Sequence, residues 1–428
     1  MRNSPGVFIL RLIATQTFAA EPVALFNGKD LTGWWGRKTK DPREILAMPA
    51  DELAALKKAS LADIQAHWSV APNGVLVNDG KGNYLTTDKF YRDFRLSLEY
   101  RTVPKADSGI YLRGIPQVQI WDWTQEEKFK HGADKGSGGL WNNSKDAPGK
   151  DPLQLMDRPF GEWNQFDITM IGERVTVGFN GEIVVDNAVM ENYFDRKLPV
   201  PAVGPIQLQT HGGEIRWRNI YLEEIAPEEA NKILQARNDH GFKSIFDGKS
   251  FNGWQGPVEN YEIRDGAIYC KADKGGTILT EQEYEDFDLR FEFKLPPGGN
   301  NGIAIRAPKE GDPAWKAFEV QVLDNTHQKF ANLKPWQVHG SLYGLAPAHT
   351  GYLRKTGEWN FQEIICRGPR VQVILNGTKI LDVNVNEVDT TGLKRVPEGI
   401  NRQRGFVGLA GHKSPVGFRN LRIKPLKR

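Results

Sequence analysis

The sequence has 428 residues, and 53 acidic against 56 basic side chains leave a formal charge of only +3, so nothing in it points to a nucleic-acid partner. With 39% hydrophobic and 25% charged residues, the composition is that of an ordinary globular protein, which excludes disorder over most of the chain. The two cysteines, Cys270 and Cys366, exclude a disulfide scaffold or a cysteine-only zinc site, and we expect both to be buried free thiols.

The chain begins with a segment typical of an export signal. Arg2 precedes an apolar run, and the small residues Ala19 and Ala20 follow before the acidic Glu21. Arg11 interrupts the run, and the alternative is a cytoplasmic N-terminus. We expect residues 1–22 to be a signal peptide and the protein to be periplasmic or extracellular. No stretch approaches the roughly 18 apolar residues of a membrane-spanning helix, so no membrane span is predicted.

One pattern is written twice along the chain, in the same order. Two homologous domains explain this economically, and we expect them at 23–226 and 243–428, joined by a charged connector helix at 227–242 that proline opens and glycine closes. The matching segments are 25–34 with 245–254, 108–113 with 301–306, 117–122 with 319–324, 161–164 with 357–360, and 204–220 with 405–421.

A helical insert distinguishes the first copy. Residues 41–67 carry apolar side chains at helical spacing among Ala, Glu and Lys. Asp51 is a candidate N-cap for a helix over 52–59, and Ser60 for a short turn after it.

Elsewhere the pattern is that of short β-strands. Residues 94–100 and 287–293 are apolar at every second position, as half-buried strands require. Asn180-Gly181 and Asn376-Gly377 each separate two such runs, which predicts two matched hairpins. We therefore predict an all-β protein of two tandem jelly-roll sandwiches, with the helical insert in the first.

The doubled motifs resemble those of the 3-keto-disaccharide hydrolase family, formerly a domain of unknown function. The shared features are Phe-Asn/Asp-Gly-Lys-x-Leu/Phe-x-Gly-Trp, Gly-Ile-x-Leu/Ile-Arg, Glu/Gln-Val-Gln-Ile/Val-x-Asp, Gly-Glu-Trp-Asn, the Asn-Gly hairpin and a final His before an Arg-Asn-Ile/Leu strand. This resemblance implies concanavalin A-like sandwiches and a hydrolase or lyase acting on 3-keto glycosides.

The chemistry of such a substrate defines the groups to look for. A C3 ketone acidifies the C2 hydrogen, a base removes it, and the enolate expels the glycosidic oxygen from C1 before water adds. The site must supply a base, a donor for the enolate oxygen, and an acid for the leaving group.

In the second copy, Glu319 and Gln321 share one strand face because they are two residues apart, whereas Asp324 has the opposite parity. Glu319 is the candidate base, Arg306 would polarise the carbonyl, and His412 would carry the proton. The alternative is that Glu319 and Arg306 merely pair across adjacent strands. Gln321, Asp324 and Tyr343 are candidate substrate contacts.

In the first copy, Gln117 stands where the second has Glu319, and an amide cannot act as a base. Asp122 and His211, with Arg113, would have to carry any proton transfer there, or the copy has turned to binding. Candidate sugar contacts are Gln117, Gln119, Trp141 and Asn142, the last two on a glycine-rich loop over 136–143.

The sequence leaves open whether the protein binds a metal ion. No histidine motif or paired-cysteine signature for a metal is present, but Asp122 with His211, or Glu319 with His412, could hold a divalent cation.

Three functions remain open from sequence, and the oligomeric state is not predicted. The first is 3-keto-glycoside cleavage, with an oligosaccharide or glycoside as the substrate. The second is a non-catalytic glycan-binding protein, which Gln117 favours for the first domain. A conventional glycosidase comes last, because it needs two facing carboxylates and no laminarinase-type arrangement is visible.

Overall fold

The protein folds into two β-sandwiches, in a computed structural model that describes residues 21–393 and 395–427. In each sandwich an eight-stranded antiparallel sheet faces a five-stranded one. The prediction of an all-β tandem architecture is confirmed. Residues 1–20 of the predicted signal peptide lie outside the described residues, so export stays a prediction.

Within residues 21–224, the first sandwich contains thirteen strands and two α-helices. Its strands are β1 Val23–Ala24, β2 Trp34–Arg37, β3 Trp68–Val70, β4 Leu76–Asn78, β5 Tyr84–Thr87, β6 Phe94–Thr102, β7 Ser108–Leu112, β8 Ile115–Ile120, β9 Asn164–Ile171, β10 Arg174–Phe179, β11 Glu182–Val189, β12 Gln207–Leu208 and β13 Ile215–Glu224, and its helices are α1 Pro42–Leu46 and α2 Ala50–His67. The larger sheet has the order β11-β10-β9-β6-β13-β4-β3, with β1 paired to β13, and the smaller has the order β2-β5-β12-β7-β8.

The second sandwich follows helix α3, Pro227–Ala236, and repeats the arrangement. Its strands are β14 Lys243–Ser244, β15 Trp254–Gln255, β16 Tyr261–Arg264, β17 Ala267–Cys270, β18 Gly275–Tyr284, β19 Phe287–Lys294, β20 Asn300–Ala307, β21 Phe318–Leu323, β22 Trp359–Arg367, β23 Arg370–Leu375, β24 Thr378–Asn384, β25 Gly405–His412 and β26 Gly417–Pro425, with helix α4 Pro313–Lys316. Its sheets have the orders β16-β17-β26-β19-β22-β23-β24, with β14 on β26, and β15-β18-β25-β20-β21.

The strands form where the sequence alternates. Along β6, buried and half-buried side chains alternate at every position, so one face enters the core and the other meets solvent. The two predicted hairpins are present. Asn180 and Gly181 have φ of 50° and 90°, and Asn376 and Gly377 have 50° and 82°, as a tight two-residue turn between right-twisted strands requires.

The helical insert differs in detail from the prediction. The predicted break at Ser60 is wrong, because α2 begins before Asp51 and runs through Ser60 without interruption. The Ser60 hydroxyl donates to the Lys57 carbonyl at 2.7 Å and accepts from the Gly36 amide at 2.8 Å. Ser60 therefore ties the helix to strand β2 instead of starting a new turn.

A buried arginine in each sandwich joins a strand end to a turn between β-strands. Arg113 Nη2 donates to Asp93 Oδ1 at 2.9 Å, and its Nη1 donates to the Gly172 carbonyl at 2.8 Å. The Gly172 amide donates to the same carboxylate at 3.0 Å. The second copy repeats this arrangement with Arg306, Asp286 and Gly368, at 3.0, 2.6 and 2.9 Å. We call these two arrangements the arginine clamps.

The two sandwiches pack against each other through α3 and through two turns. Ile171 of the first copy, Leu234 of α3 and Phe361 of the second belong to one small apolar core. The turn at Gly377 lies against the β9–β10 turn so closely that a Cβ on Gly377 would lie 2.9 Å from the Ile171 carbonyl oxygen. Glu173 of the β9–β10 turn is buried, and its Oε1 accepts from the Lys379 amide at 3.1 Å.

Candidate functional site

Each sandwich carries a cavity on the outward face of its five-stranded sheet. The alternation of side chains along a strand determines which residues reach this face. In β21, Phe318 and Val320 enter the core, so the alternating Glu319 and Gln321 lie on the opposite face, as predicted.

The cavity of the second sandwich has a volume of ≈ 390 Å³. Glu319 from β21 and His412 from the end of β25 lie in it together. The segment between β20 and β21 forms a further part of the lining, and it brings Lys309 and Asp312 to the same cavity. Asp312 also caps α4 by accepting from the Ala314 amide at 3.0 Å.

A carboxylate–histidine pair is the central feature of this cavity. His412 Nε2 lies 3.2 Å from Glu319 Oε1. The Glu319 side chain is only 4% exposed, whereas the His412 side chain is 45% exposed, so the carboxylate lies at the bottom and the imidazole at the opening. The hydrogen bond to Glu319 raises the pKa of His412, against the effect of burial, which lowers it.

A glycine makes room for this carboxylate. Gly302 on the neighbouring strand β20 lies directly beneath the Glu319 side chain, and an added Cβ would collide with its carboxylate oxygen. In the first copy Gly109 occupies the same position under Gln117. The close approach of side chain to backbone explains why the strand carries glycine here.

The cavity of the first sandwich is smaller, at ≈ 220 Å³, and is richer in aromatic and amide groups. Its residues come from β5, β7, β8, the end of β12 and nearby loops. They are Thr39, Tyr84, Asp107, Tyr111, Pro116, Gln117, Gln119, Trp121, Trp141, Asn142, Tyr193, Gln209 and His211.

A carboxylate–histidine pair is present here too, but the carboxylate is Asp107. His211 Nδ1 lies 3.1 Å from Asp107 Oδ2, and Lys128 Nζ donates to the same oxygen at 2.6 Å. Gln119 Nε2 donates to the other oxygen, Oδ1, at 2.9 Å, and Gln117 donates in turn to Gln119. Both carboxylate oxygens of Asp107 are therefore occupied by donors.

These contacts hold Asp107 in its charged form. Burial alone would raise its pKa, but the hydrogen bonds from His211 and Lys128 outweigh burial and lower the pKa. The hydrogen bond to Asp107 raises the pKa of His211 in the same way that Glu319 acts on His412.

The two copies have thus exchanged the positions of carboxylate and amide. Glu319 of the second copy corresponds to Gln117, and Asp107 of the first corresponds to Asn300, whereas the histidine has the same position in both. Each cavity contains one histidine-paired carboxylate, on the edge strand β21 in one case and directly before β7 in the other.

The structure does not bring the predicted arginines into the cavities. Arg113 and Arg306 are 0% and 2% exposed, and both form the arginine clamps. Both have a left-handed backbone, with φ of 54° and 51°, at the point where the outward-facing alternation of their strands ends. The assignment of Arg306 to carbonyl polarisation, and that of Arg113 to the catalytic groups of the first copy, are therefore wrong.

Asp122 and Asp324 are also placed differently from the prediction. Asp122 accepts from the Lys105 amide at 2.7 Å and from the Thr124 amide at 2.8 Å, and it does not line the first cavity with His211. Asp324 makes the equivalent contacts to the Gly298 and Thr326 amides. Both aspartates hold loops, so the predicted pairing of Asp122 with His211 is wrong.

The glycine-rich loop contributes a wall, as its tryptophan suggested. Trp141 and Asn142 line the first cavity, and the Trp141 indole meets that of Trp121 edge to face at 5.8 Å. In the second copy Gln321 is buried on the cavity-bearing face but does not line the cavity, and Tyr343 packs against Trp315 and Trp336.

The donor groups do not fit a metal site. Among residues 21–393 and 395–427, no group of three or more His, Cys, Asp or Glu side chains is placed to hold an ion. In addition, His412 and Glu319 bond each other directly. We derive no step through a metal.

Sequence reasoning missed the carboxylate of the first cavity, Asp107, and its partner Lys128. It also missed six further lining residues: Thr39, Tyr84, Tyr111, Pro116, Tyr193 and Gln209. Asp107 stood directly before the repeated Ser-Gly strand, and aligning it with Asn300 would have revealed the exchange of carboxylate and amide. Lys128 lies in a region where the copies do not match, so the repeat carried no signal for it.

The fold and site together define a tandem β-sandwich protein in which each sandwich places a histidine-paired carboxylate in a cavity on the outer face of its smaller sheet. The chain belongs to the family described as 3-keto-alpha-glucoside-1,2-lyase-like domain, which matches residues 21–223 and 241–424. The resemblance seen in the sequence motifs is confirmed.

Similar proteins include a Bacteroides protein and two Parabacteroides structures. The chain is 27% identical over 248 residues to the 3-keto-disaccharide hydrolase of Bacteroides thetaiotaomicron, covering 48% of this chain and 86% of that protein. A solved structure of a Parabacteroides distasonis protein assigned as a glycosyl hydrolase is 30% identical, covers 43% of this chain and 99% of its own, and has a TM-score of 0.40. A second from the same organism is 24% identical, with coverage of 44% and 95% and a TM-score of 0.39.

No helix in the described part of the chain is both long enough and apolar enough to cross a membrane.

Proposed function

We propose that the protein cleaves 3-keto glycosides and that the second sandwich does so. The observation that carries the proposal is the contact of the buried Glu319 carboxylate with His412 inside the ≈ 390 Å³ cavity. The family and the named activity of the Bacteroides relative support the substrate class. The cavity is in the size range of about 300–1,000 Å³ that small-molecule sites occupy.

The reaction needs a base, and Glu319 has the geometry of one. Its Oε1 is bonded to His412, and among the described residues no hydrogen bond is made by its Oε2. Oε2 would remove the C2 proton, and the C2–H electron pair would form the enolate of the C3 ketone. Proton transfer by such a positioned group contributes about 10²–10⁴-fold to the rate.

His412 is suited to the role of acid. Because Glu319 raises its pKa, a larger fraction of His412 is protonated near neutral pH than of a free histidine. As the enolate collapses to a C1=C2 double bond, the C1–O bond breaks and His412 gives its proton to the departing oxygen. Water then adds across the double bond, with hydroxyl at C1 and hydrogen at C2, and the net result is hydrolysis.

The developing enolate oxygen needs a positive partner. The sequence suggested Arg306, but that side chain belongs to a clamp. Lys309 lines the same cavity as Glu319 and is exposed, so we assign it this role.

The test compares the wild type with Glu319→Gln on a 3-keto disaccharide and on the same disaccharide without the ketone. The wild type should release product only from the oxidised sugar, and Glu319→Gln should lower kcat/KM by about 10²–10⁴-fold, because an amide cannot take the proton. Product release is followed by chromatography. Equal turnover of the oxidised sugar by the two proteins would refute the assignment of the base, and no turnover by the wild type would refute the proposed reaction.

A further inference from the structure

We infer that the first sandwich is a binding site for one neutral, unoxidised pyranose unit and that it does not cleave what it binds. The inference rests on the proposed function only in taking the ligand to be a sugar. It adds a second site, with a different ligand, on the same chain.

The acid–base groups of this cavity are hydrogen-bonded to each other. Asp107 Oδ1 accepts from Gln119, and Oδ2 accepts from Lys128 and contacts His211, so both oxygens are occupied. Glu319 of the second cavity has a single such partner, His412. A carboxylate held by three donors is a weak base, which leaves the first cavity without a group to remove a C2 proton.

The remaining polar groups of the cavity are neutral amides and hydroxyls, as suits an uncharged polyol. Thr39 Oγ1 lies 2.7 Å from the Tyr111 hydroxyl and donates to the Tyr84 hydroxyl at 3.1 Å. Gln209 Nε2 donates to the Tyr111 hydroxyl at 3.4 Å. These groups form a continuous row of donors and acceptors along the floor of the cavity.

One acceptor in this row has no partner. Gln209 is 6% exposed, it lines the cavity, and its Oε1 makes no hydrogen bond to any described residue. A buried carbonyl oxygen without a donor destabilises the fold, so its presence in a cavity wall points to a ligand that brings a donor. A sugar hydroxyl is such a donor.

Aromatic side chains supply the apolar surface that a pyranose needs. Trp141 and Trp121 line the cavity, and the Trp141 indole nitrogen donates to the His131 carbonyl at 2.9 Å. Lys150 lies over the Trp141 ring, 5.4 Å from its centre. These contacts fix the indole in place before any ligand arrives.

The size of the cavity limits what it takes. At ≈ 220 Å³ it is smaller than the roughly 300–1,000 Å³ of drug-sized sites, which suits a single ring at the end of a chain. The second copy has smaller side chains at two of these positions, because Tyr84 and Gln209 of the first copy correspond to Thr277 and Ala410.

The experiment uses the full chain carrying Glu319→Gln and titrates it calorimetrically with maltose, cellobiose and trehalose. At least one of these unoxidised disaccharides should bind with a millimolar or tighter Kd. Adding Gln209→Leu should weaken that binding about fivefold or more. The thermal midpoint should change little, because the substitution removes the unpaired Oε1 acceptor together with the long 3.4 Å hydrogen bond from Nε2 to the Tyr111 hydroxyl. Trp141→Ala should weaken it about tenfold or more.

The matched control is Trp163→Ala in the same background. Trp163 directly precedes β9, its ring contacts the guanidinium groups of Arg101 and Arg218, and it does not line the cavity. This substitution should leave the Kd unchanged.

Two results would overturn the inference. One is the absence of binding by all three sugars at about 20 mM; the other is binding that Gln209→Leu and Trp141→Ala both leave unchanged. Cleavage of a 3-keto disaccharide by the wild type is measured separately. Binding without cleavage would overturn the proposed reaction alone, and cleavage without binding would overturn this inference alone.

Discussion

The two sandwiches share one frame and differ on one face. The arginine clamps contain the same hydrogen bonds, with Arg113, Asp93 and Gly172 matched by Arg306, Asp286 and Gly368. The strand orders match as well. The outward face of the smaller sheet differs. There the carboxylate has moved from one strand to its neighbour, and the cavity volume has changed from ≈ 220 to ≈ 390 Å³.

The difference teaches which positions a duplicated sandwich can change. A clamp arginine is buried and donates to an aspartate and to a glycine carbonyl, so its replacement leaves unpaired polar groups inside the protein. A cavity residue meets solvent on one side, so carboxylate and amide can exchange strands as long as the histidine still finds a charged partner. His211 and His412 occupy the same position in the two copies, whereas their carboxylate partners lie at different positions.

The largest expected effect separates the two histidines. His412→Gln should lower kcat/KM on the 3-keto disaccharide by about 100-fold, because the leaving oxygen loses its proton donor, whereas His211→Gln should change it by less than about threefold. Steady-state rates of the two variants give the comparison. Equal losses would mean that the sandwiches are not divided into a catalytic and a binding unit.

The same histidine sets a pH dependence. Glu319 raises the pKa of His412, and the reaction uses the protonated form. As the pH rises through this raised pKa the acid is lost, so the alkaline fall of kcat/KM should lie above the ordinary histidine value of about 6.5.

A smaller effect is expected from making the second cavity resemble the first. Thr277 lines the second cavity where the first has Tyr84, and it is half-buried. Thr277→Tyr should therefore narrow the cavity and raise KM roughly tenfold, with little change in the thermal midpoint. The reverse substitution, Tyr84→Thr, is the control and should leave KM unaffected; a similar rise in both variants would argue against two separate cavities.

The smallest effect concerns the turn where the copies touch. Burial raises the pKa of Glu173 to about 7, well above the value of 4.5 in the unfolded chain, and the second copy has Pro369 at this position. The folded protein therefore binds more protons than the unfolded chain between these two pH values, and stability falls as the pH rises through that window. Glu173→Gln should raise the thermal midpoint by a few degrees at pH 8 and hardly at all at pH 4.

Glu182→Gln, at an exposed position on the same sheet, is the control for this measurement and should show no such pH-dependent difference. A midpoint difference for Glu173→Gln that is constant from pH 4 to pH 8 would contradict the assignment.

Sequence reasoning predicted the frame well because its signals are local and doubled. Alternation over 94–100 marks a strand wherever its partners lie, and an Asn-Gly pair fixes a hairpin by its own backbone. The site was harder. His211, His412 and Glu319 were found because the repeat marks the histidines and strand parity marks the glutamate.

The errors have physical causes. Arg113 directly follows β7 and Arg306 is the next-to-last residue of β20, and both have a positive φ, at which strand parity ceases to predict the direction of a side chain. Asp122 follows the cavity strand β8, which made it a candidate. Its carboxylate is instead occupied by the amides of Lys105, which is distant in sequence, and Thr124, whose residue type gave no signal. Asp51 and Ser60 have the chemistry of helix caps, yet α2 begins before Asp51 and runs through Ser60, whose hydroxyl accepts from the Gly36 amide of β2.

The pairing of β1 with β13, and of β14 with β26, has a consequence for how the chain acquires its structure. Val23 pairs with Leu222 and Lys243 with Ile423, so each half joins its first strand to its last. During synthesis the leading strand of each half must wait for nearly all of that half to emerge, and contacts so distant along the chain form slowly. The first half can nevertheless be complete before the second half begins to close, so two halves of similar sequence need not compete for each other's strands.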